Sequence, residues 1–201
     1  MELNRRQLFA QGSRFAVAVI LGLVPIALGG QGPSGQPVPK NVSWRAVLVA
    51  EGEPGEPLIV SGSVFLPDGK PAEGVVLYVY NTDAEGLYTK VPEPNGPEHP
   101  RLAGWMKPGA EGHYEFRTIK PGAYPGRKTP AHIHIRTISM DYDWIDEFQF
   151  AGDPLLTGRD VATSTSLVEK HGPTFASIVR LQRGADGVLR AHRDIRLVRR
   201  R

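Results

Sequence analysis

The sequence predicts an all-β protein, a β-sandwich of about eight or nine mostly antiparallel strands with long loops that carry the candidate site. Short runs of β-branched and aromatic residues recur along the chain, and turn residues separate them, with 23 glycines and 18 prolines in 201 residues. No stretch has the sustained apolar periodicity of a long amphipathic helix. Hydrophobic residues make up 40% and charged residues 22%, which is ordinary for a globular protein.

The first part of the chain contains four predicted strands and one long loop. The strands cover residues 44–50, 58–65, 75–80 and 113–118, where apolar side chains alternate or run together. The sequence Pro67-Asp68-Gly69-Lys70 predicts a turn directly after the second strand. Residues 88–101 form a proline-rich loop, and loops of this length are usually functional or disordered.

The second part begins with predicted strands at residues 132–139 and 144–150. The sequence of residues 163–170 is compatible with either a short helix or an extended arm. Residues 175–182 and 188–197 predict a hairpin, because the segment between them contains an Asp-Gly turn pair.

Composition excludes several classes of site. The chain contains no cysteine, which excludes disulfides, iron–sulfur clusters and thiolate zinc sites. The net charge is +3, and part of it belongs to arginines near the N-terminus. The C-terminal run of arginines is basic, but no recognition motif accompanies it. We therefore expect a solvated tail and no nucleic-acid partner.

Residues 1–30 are typical of a twin-arginine export signal peptide. Arg5 and Arg6 precede an apolar stretch that is shorter than the roughly 20 residues of a membrane span. Residues 31–42 are rich in glycine, proline and serine and predict a flexible linker, which leaves residues 43–201 as the folded domain. We expect a periplasmic or secreted protein with no stable membrane span after cleavage of the signal. Retention of the leader as an anchor is the open alternative.

Two histidines in a predicted strand form a candidate metal site. His132 and His134 are separated by one residue, and side chains at i and i+2 of a strand point to the same face. Both imidazoles can therefore reach one ion. Tyr124 lies in the loop before this strand, and Tyr88 follows another predicted strand. Phenolate is a hard anionic donor that favours a trivalent ion such as Fe(III), and neutral imidazole completes the ligand shell.

Four sequence blocks between about residue 58 and residue 154 carry a resemblance to a known family. They are Gly86-Leu87-Tyr88, the run from Gly112 to Pro125, Pro130-Ala131-His132-Ile133-His134, and Phe150-Ala151-Gly152-Asp153-Pro154. In these blocks the chain resembles the intradiol ring-cleavage dioxygenases of the protocatechuate 3,4-dioxygenase type. The second and third blocks are highly specific to that family.

The resemblance implies a ferric centre whose ligands fall on Tyr88, Tyr124, His132 and His134. The implied enzyme takes a catechol-type aromatic diol and O2. It cleaves the ring between the two hydroxyl-bearing carbons and gives a cis,cis-muconate-type product without an organic cofactor. Tyr124 is the ligand implied to leave when the substrate binds. Arg127 is the catalytic cation candidate, because a positive charge can stabilise charge that develops on the ring.

Several positions depart from the family's pattern. Thr129 stands where the family usually has an arginine, so Arg127 and Lys128 are candidates to replace its charge. The loop before Thr129 is also shorter than in protocatechuate enzymes. Glu147 stands where a glutamine is usual, with Gln149 close by. A carboxylate there raises the cost of binding a dianionic substrate. Arg127, Lys128, Glu147 and Gln149 are the candidate substrate-binding residues, and the identity of the substrate stays open.

Two other functions stay open from the residues alone. Residues 67–75 resemble turns of transthyretin-like β-sandwiches, and a non-catalytic binding module of that kind predicts that the four ligand candidates are dispersed. A zinc hydrolase on the two histidines is the third function, but no carboxylate at a known general-base spacing supports it. Tyr78 and Tyr80 stay open as alternatives to Tyr88, and self-association of the chain also stays open.

Overall fold

The structure is a computed structural model that describes residues 38–89, 100–139 and 141–199, with residues 143–146 described by their backbone alone. The predicted export signal, most of the predicted linker and much of the loop at 88–101 therefore lie outside the described residues. Within these ranges the chain forms eleven strands in two sheets and one α-helix. The prediction of an all-β sandwich is confirmed.

The two sheets draw on strands from the whole described chain. In chain order these are β1 (Arg45–Val47), β2 (Pro57–Phe65), β3 (Val76–Asn81), β4 (Leu102–Met106), β5 (His113–Ile119), β6 (His132–Ile138), β7 (Asp143–Phe150), β8 (Ile178–Val179), β9 (Gln182–Arg183), β10 (Leu189–His192) and β11 (Ile195–Arg196). The first sheet has the order β1-β5-β2-β10-β9, with β11 also paired to β2. The second sheet has the order β4-β3-β6-β7-β8.

The hydrophobic core lies between the two sheets. Val60 and Phe116 face it from β2 and β5, and Val79 and Ile135 face it from β3 and β6; all four are 0% exposed. Full burial of one such side chain stabilises the fold by about 1.5–3 kcal/mol relative to exposure. Because successive side chains of a strand point to opposite faces, every second residue of β3 and β6 points away from this core.

The strand boundaries differ from the predicted ones where pairing is not local. β4 is not predicted, because its sequence Leu-Ala-Gly-Trp-Met lacks alternation, and it forms by antiparallel pairing with β3. The predicted hairpin at 175–182 and 188–197 is confined to β9 and β10. β8 instead pairs in parallel with β7, and β11 pairs in parallel with β2. Strands this far apart along the chain cannot be recognised as partners from a local sequence pattern.

The helix α1 covers Gly158–His171 and includes the segment for which a helix or an arm was open. Its start is fixed by a capping box, in which Thr157 and Asp160 each accept a hydrogen bond from the other's backbone N–H. The Thr-Ser-Thr-Ser run inside it has low helix propensity, so tertiary contacts decide the outcome. One such contact is the Ser164 hydroxyl, which accepts the N–H of Ile178 at 3.1 Å. In the described ranges, no helix is both long and apolar enough to cross a membrane.

Candidate metal centre

The outer face of β6 carries the two histidines. Ile133 and Ile135 point into the core, so His132 and His134 point outward on the same side. Both histidines are still buried, with exposed fractions of 7% and 9%, because aromatic side chains from neighbouring segments cover this face. Their Nε2 atoms lie 3.0 Å apart. The structure thus brings the two rings to one point.

The surroundings of the Nδ1 atoms bear on which ring nitrogens can bind a metal. His132 Nδ1 donates to the carbonyl of Pro130 at 2.7 Å, which leaves its Nε2 unprotonated while the ring is neutral. His134 Nδ1 is buried without a hydrogen bond among the described residues, but it lies 3.3 Å from the Glu147 carboxylate. Burial, and then the nearby His132 ring, lower the pKa of His134 to about 4. The His134 imidazole is therefore neutral at neutral pH.

Two phenol oxygens complete the cluster. The Tyr124 hydroxyl lies 3.1 Å from His132 Nε2 and 3.4 Å from His134 Nε2. The Tyr88 hydroxyl lies 2.5 Å from the Tyr124 hydroxyl. Four side chains from β6 and two separate loops therefore direct two oxygens and two nitrogens at one small volume.

Two glycines allow the tyrosine-bearing loops to pack backbone against backbone. A Cβ at Gly86, where φ is +84°, would lie 1.9 Å from the carbonyl oxygen of Ala123. A Cβ at Gly122 would lie 2.4 Å from the carbonyl oxygen of Ala84. Since real Cβ atoms do not approach oxygen this closely, only glycine fits at either position without a shift of the backbone. This contact fixes the separation of the two loops that carry the tyrosines.

The donor set fits a transition-metal ion. Metal–nitrogen and metal–oxygen bonds of about 2.0–2.2 Å place neighbouring ligand atoms about 3 Å apart, which matches the spacing here. Burial raises the pKa of both Tyr88 and Tyr124, so a phenolate at either position needs a cation to compensate it. Two Nε2 lone pairs facing each other likewise need a proton or a metal between them. Tyr88, Tyr124, His132 and His134 can therefore hold iron.

The open alternatives to Tyr88 have other contacts. Tyr80 stacks on the His134 ring, with centroids 4.6 Å apart and an interplanar angle of 13°. Tyr78 packs on Trp105, with centroids 4.6 Å apart. Of the three tyrosines, Tyr88 is the one whose hydroxyl contacts the Tyr124 hydroxyl. The geometry therefore favours Tyr88 as the fourth donor.

Charged residues lie near two of the candidate ligands, Tyr124 and His134. The Arg127 guanidinium lies 5.6 Å from the centroid of the Tyr124 ring and is exposed, as is Lys128. Thr129, at the position of the family's arginine, is half-buried. The side chain of Glu147 is 51% exposed, and its carboxylate lies within 4.8 Å of a ring nitrogen of each histidine. Positive and negative charge thus both border the site.

Gln149 and Asp153 support the site from β7 and the turn after it. Gln149 pairs with His132 across the strands, and its amide donates to Asp160 of α1 at 3.3 Å. Asp153 accepts the N–H of Ala131 at 3.0 Å and so fixes the backbone just before His132. Asp153 belongs to the block Phe150-Ala151-Gly152-Asp153-Pro154, but the sequence alone assigns it no role. Its place in a Gly-Asp-Pro turn was the one available indication.

Comparison with known proteins identifies the class. A family model described as Dioxygenase (Dioxygenase_C) matches residues 40–181. The protocatechuate 3,4-dioxygenase beta chain of Burkholderia cepacia is 39% identical over 120 residues, which make up 54% of this chain and 51% of that protein. The 6-chlorohydroxyquinol 1,2-dioxygenase of Cupriavidus pinatubonensis is 34% identical over 138 residues, or 60% of this chain and 49% of that protein. The chain spans about half the length of the curated relatives it matches.

Solved structures share the fold. The dioxygenase domain of a dioxygenase carbohydrate-binding protein fusion from Streptomyces sp. SirexAA-E superposes with a TM-score of 0.55 at 26% identity, covering 84% of this chain and 97% of that chain. An intradiol ring-cleavage dioxygenase from Tetranychus urticae has a TM-score of 0.54 at 21% identity and covers 84% and 91%. The chain belongs to the intradiol ring-cleavage dioxygenase family, whose members depend on iron.

Proposed function

We propose that the protein is a non-haem Fe(III) dioxygenase that cleaves a catechol-type ring between its two hydroxyl-bearing carbons. O2 is the co-substrate, and a cis,cis-muconate-type acid is the product. The observation that carries this proposal is the convergence of two phenol oxygens and two imidazole nitrogens within hydrogen-bond distances of one another. Ferric iron held by these residues would supply Lewis acidity toward a bound aromatic diol.

The donor set supports the ferric state. Phenolates at Tyr88 and Tyr124 add two negative charges, while the rings of His132 and His134 add none. Hard anionic oxygen donors favour a trivalent over a divalent ion. His132 is held by the Pro130 carbonyl, and His134 Nδ1 faces the Glu147 carboxylate; outer partners of this kind orient metal-binding imidazoles.

Tyr124 is proposed to receive a proton from the substrate. A catechol loses two protons when both of its oxygens bind a cation; a phenolate nearby can accept one of them, and the other passes to solvent. The Tyr124 oxygen is the central atom of the cluster, in contact with Tyr88 and both histidines. Tyr124 lies in a loop rather than in a strand, so its side chain can turn away once protonated.

Arg127 is proposed to stabilise the negative charge that develops on the substrate. It lies over the Tyr124 ring, and its charge favours the phenolate form there. Lys128 and Glu147 are proposed to select among substituents of the substrate ring, each attracting substituents of opposite charge and repelling those of like charge. Gln149 stays a substrate-binding prediction, with its amide directed to Asp160.

The binding-module alternative is not favoured. It predicts that Tyr88, Tyr124, His132 and His134 are dispersed, and the structure brings all four together. The names of the relatives refer to protocatechuate, catechol and chlorinated or hydroxylated catechols. We propose a substrate of that general class for this protein and do not choose among them.

We propose further that the protein is exported by the twin-arginine route to the periplasm or beyond. The paired Arg5 and Arg6 before an apolar stretch support this proposal. That route moves folded proteins, which suits a domain whose metal must be bound before export.

The visible absorption spectrum of the purified protein tests the proposed activity. Tyrosinate-to-iron(III) charge transfer predicts a broad visible band that shifts to longer wavelength when catechol or protocatechuate is added without O2. Formation of a muconate-type product then follows on admission of O2. A protein that stays colourless after reconstitution with ferric iron would contradict the proposal.

A further inference from the structure

Three charged side chains form a network behind the loop that carries Tyr88. The Arg101 guanidinium contacts both oxygens of Glu53, at 2.5 and 2.8 Å, and lies 3.4 Å from an oxygen of Asp83. The Glu53 and Asp83 side chains are 7% and 10% exposed. We call Glu53, Asp83 and Arg101 the Arg101 network. Bidentate pairing of arginine with a carboxylate fixes geometry as well as charge.

Asp83 connects this network to both tyrosine-bearing loops. One oxygen of its side chain accepts the N–H groups of Glu85 and Leu87, at 3.0 and 2.9 Å. Its carbonyl accepts the N–H of Gly86 at 3.1 Å and that of Gly122 at 2.8 Å. The first three bonds shape the turn that leads to Tyr88. The fourth bond fastens this turn to the segment that leads to Tyr124.

Arg101 also holds Tyr88 through the main chain. Its backbone N–H donates to the Tyr88 carbonyl at 2.9 Å. A single residue therefore fixes the two ends of the turn, Asp83 through the guanidinium and Tyr88 through the backbone. Glu53 lies in the connection between β1 and β2, so the network ties this turn to a segment that leads into the first sheet.

A pocket lies beside the Arg101 network among the described residues. A cavity of about 310 Å³ adjoins the turn and is lined by residues that include Glu53, Asp83, Leu87 and Arg101. Close-packed side chains normally fix a loop, and a cavity removes such contacts. On the side of the turn that faces this pocket, the Arg101 network supplies charge-assisted hydrogen bonds that restrain the turn.

We infer that Arg101, through the Arg101 network, is a positioning residue that holds the Tyr88 oxygen in place as a metal ligand. This inference rests on the proposed function, because it takes Tyr88 as one of the iron ligands. Metal–oxygen bond lengths tolerate errors of only about 0.2 Å, so a loop that moves slightly loses its contribution to the site. Lysine keeps the charge of Arg101 but cannot reproduce its planar fork to Glu53.

The first test compares Arg101→Lys and Glu53→Gln with the wild type. Fe(III) affinity is measured by competition with a chelator, and the wavelength of the visible charge-transfer band is recorded for each protein. We expect at least about 10-fold weaker iron binding and a shifted band in both variants, as is usual when an outer partner of a metal ligand is lost. Thermal unfolding of the metal-free proteins establishes that each is folded at the assay temperature.

The matched control is the exposed pair of Arg183 and Glu56. It joins the same residue types on the surface, with side chains 53% and 49% exposed. Arg183→Lys and Glu56→Gln should leave iron affinity and the band unchanged. If they weaken iron binding as much as Arg101→Lys does, the effect is a general loss of stability and the inference is wrong.

A double-mutant cycle separates positioning of Tyr88 from a purely structural role. If Arg101 acts through Tyr88, Arg101→Lys should weaken iron binding much less in a protein that already carries Tyr88→Phe. Equal loss in both backgrounds would overturn the inference. A coloured wild type with an unchanged Arg101→Lys variant overturns it as well, while the proposed function stands. A wild type that never gains colour overturns the proposed function itself.

Discussion

Tyr80 and His134 form a parallel stack, with ring centroids 4.6 Å apart and an interplanar angle of 13°. The two residues are direct partners across β3 and β6, so the register of the second sheet sets this contact. The stack restricts rotation of the His134 imidazole. The Glu147 carboxylate faces Nδ1 of the same ring. Tyr80 therefore supports a candidate ligand by packing its ring against it.

Phenylalanine substitutions distinguish the ligand from the support. Tyr88→Phe removes one of the four donor oxygens, and we expect about 10-fold or greater loss of Fe(III) affinity with a shift of the visible band. Tyr80→Phe keeps the stacked ring, and iron affinity should stay within about threefold of the wild type. Chelator competition and visible spectra check both. If Tyr80→Phe instead removes the colour and Tyr88→Phe does not, Tyr80 is the ligand and our assignment is wrong.

The contact of Gly86 with Ala123 predicts a large effect of one added methyl group. Gly86→Ala combines a positive φ with a clash against a carbonyl oxygen, and we expect a loss of about 2–4 kcal/mol in unfolding free energy. Gly187 also has positive φ but open space around it, so Gly187→Ala should cost about 1–2 kcal/mol. Denaturant titration measures both values. Iron affinity should fall in the first variant alone, because Gly86 lies at the close contact between the tyrosine-bearing loops.

Glu147 predicts an electrostatic effect on substrate binding. Its carboxylate lies next to the site, and after burial its charge is one of the causes that raise the pKa of Tyr124. Because the side chain is half-exposed, solvent screens much of this charge. Glu147→Gln should lower KM for catechol by about threefold to tenfold, since the substrate binds as an anion. Glu169→Gln, at an exposed position of α1, should leave KM unchanged. Equal KM values for all three proteins would show that Glu147 does not act on the substrate.

The export proposal makes a prediction about where active enzyme accumulates. Replacing both Arg5 and Arg6 with lysine should retain the protein in the cytoplasm of a cell that has the twin-arginine system. Cell fractionation followed by a dioxygenase assay measures the distribution. Arg14→Lys, outside the pair, is the control and should be exported. Normal export of the double variant would contradict the twin-arginine route.

Much of the site could be predicted because it is encoded over short distances. His132 and His134 lie on one strand, and the two-residue period of a strand places them on the same face in any β fold. Tyr124 and the Pro-Ala-His-Ile-His block lie in one continuous segment with a specific sequence. The fold class followed from alternation and turn residues in the same way, since both are local properties of the chain.

Contacts between distant segments could not be predicted. β4 and the parallel partners of β8 and β11 depend on strands far away along the chain. The sequence did not decide between a helix and an extended arm at residues 163–170, because serine and threonine have weak helix propensity. A capping box together with packing fixes this segment as part of helix α1. No pattern joins Arg101 to Glu53, because their pairing exists only once the sheets have formed.

The sequence by itself determined the sandwich class, the pair of histidines and the position of Tyr124, because each follows from periodicity or from a continuous motif. The preference for Tyr88 over Tyr78 and Tyr80 comes from the tertiary structure, since it depends on which hydroxyl reaches Tyr124 after two loops pack together. Gly86 and the Arg101 network control that packing. Both act on the distance between the two tyrosine-bearing loops, and this distance cannot be predicted from local sequence.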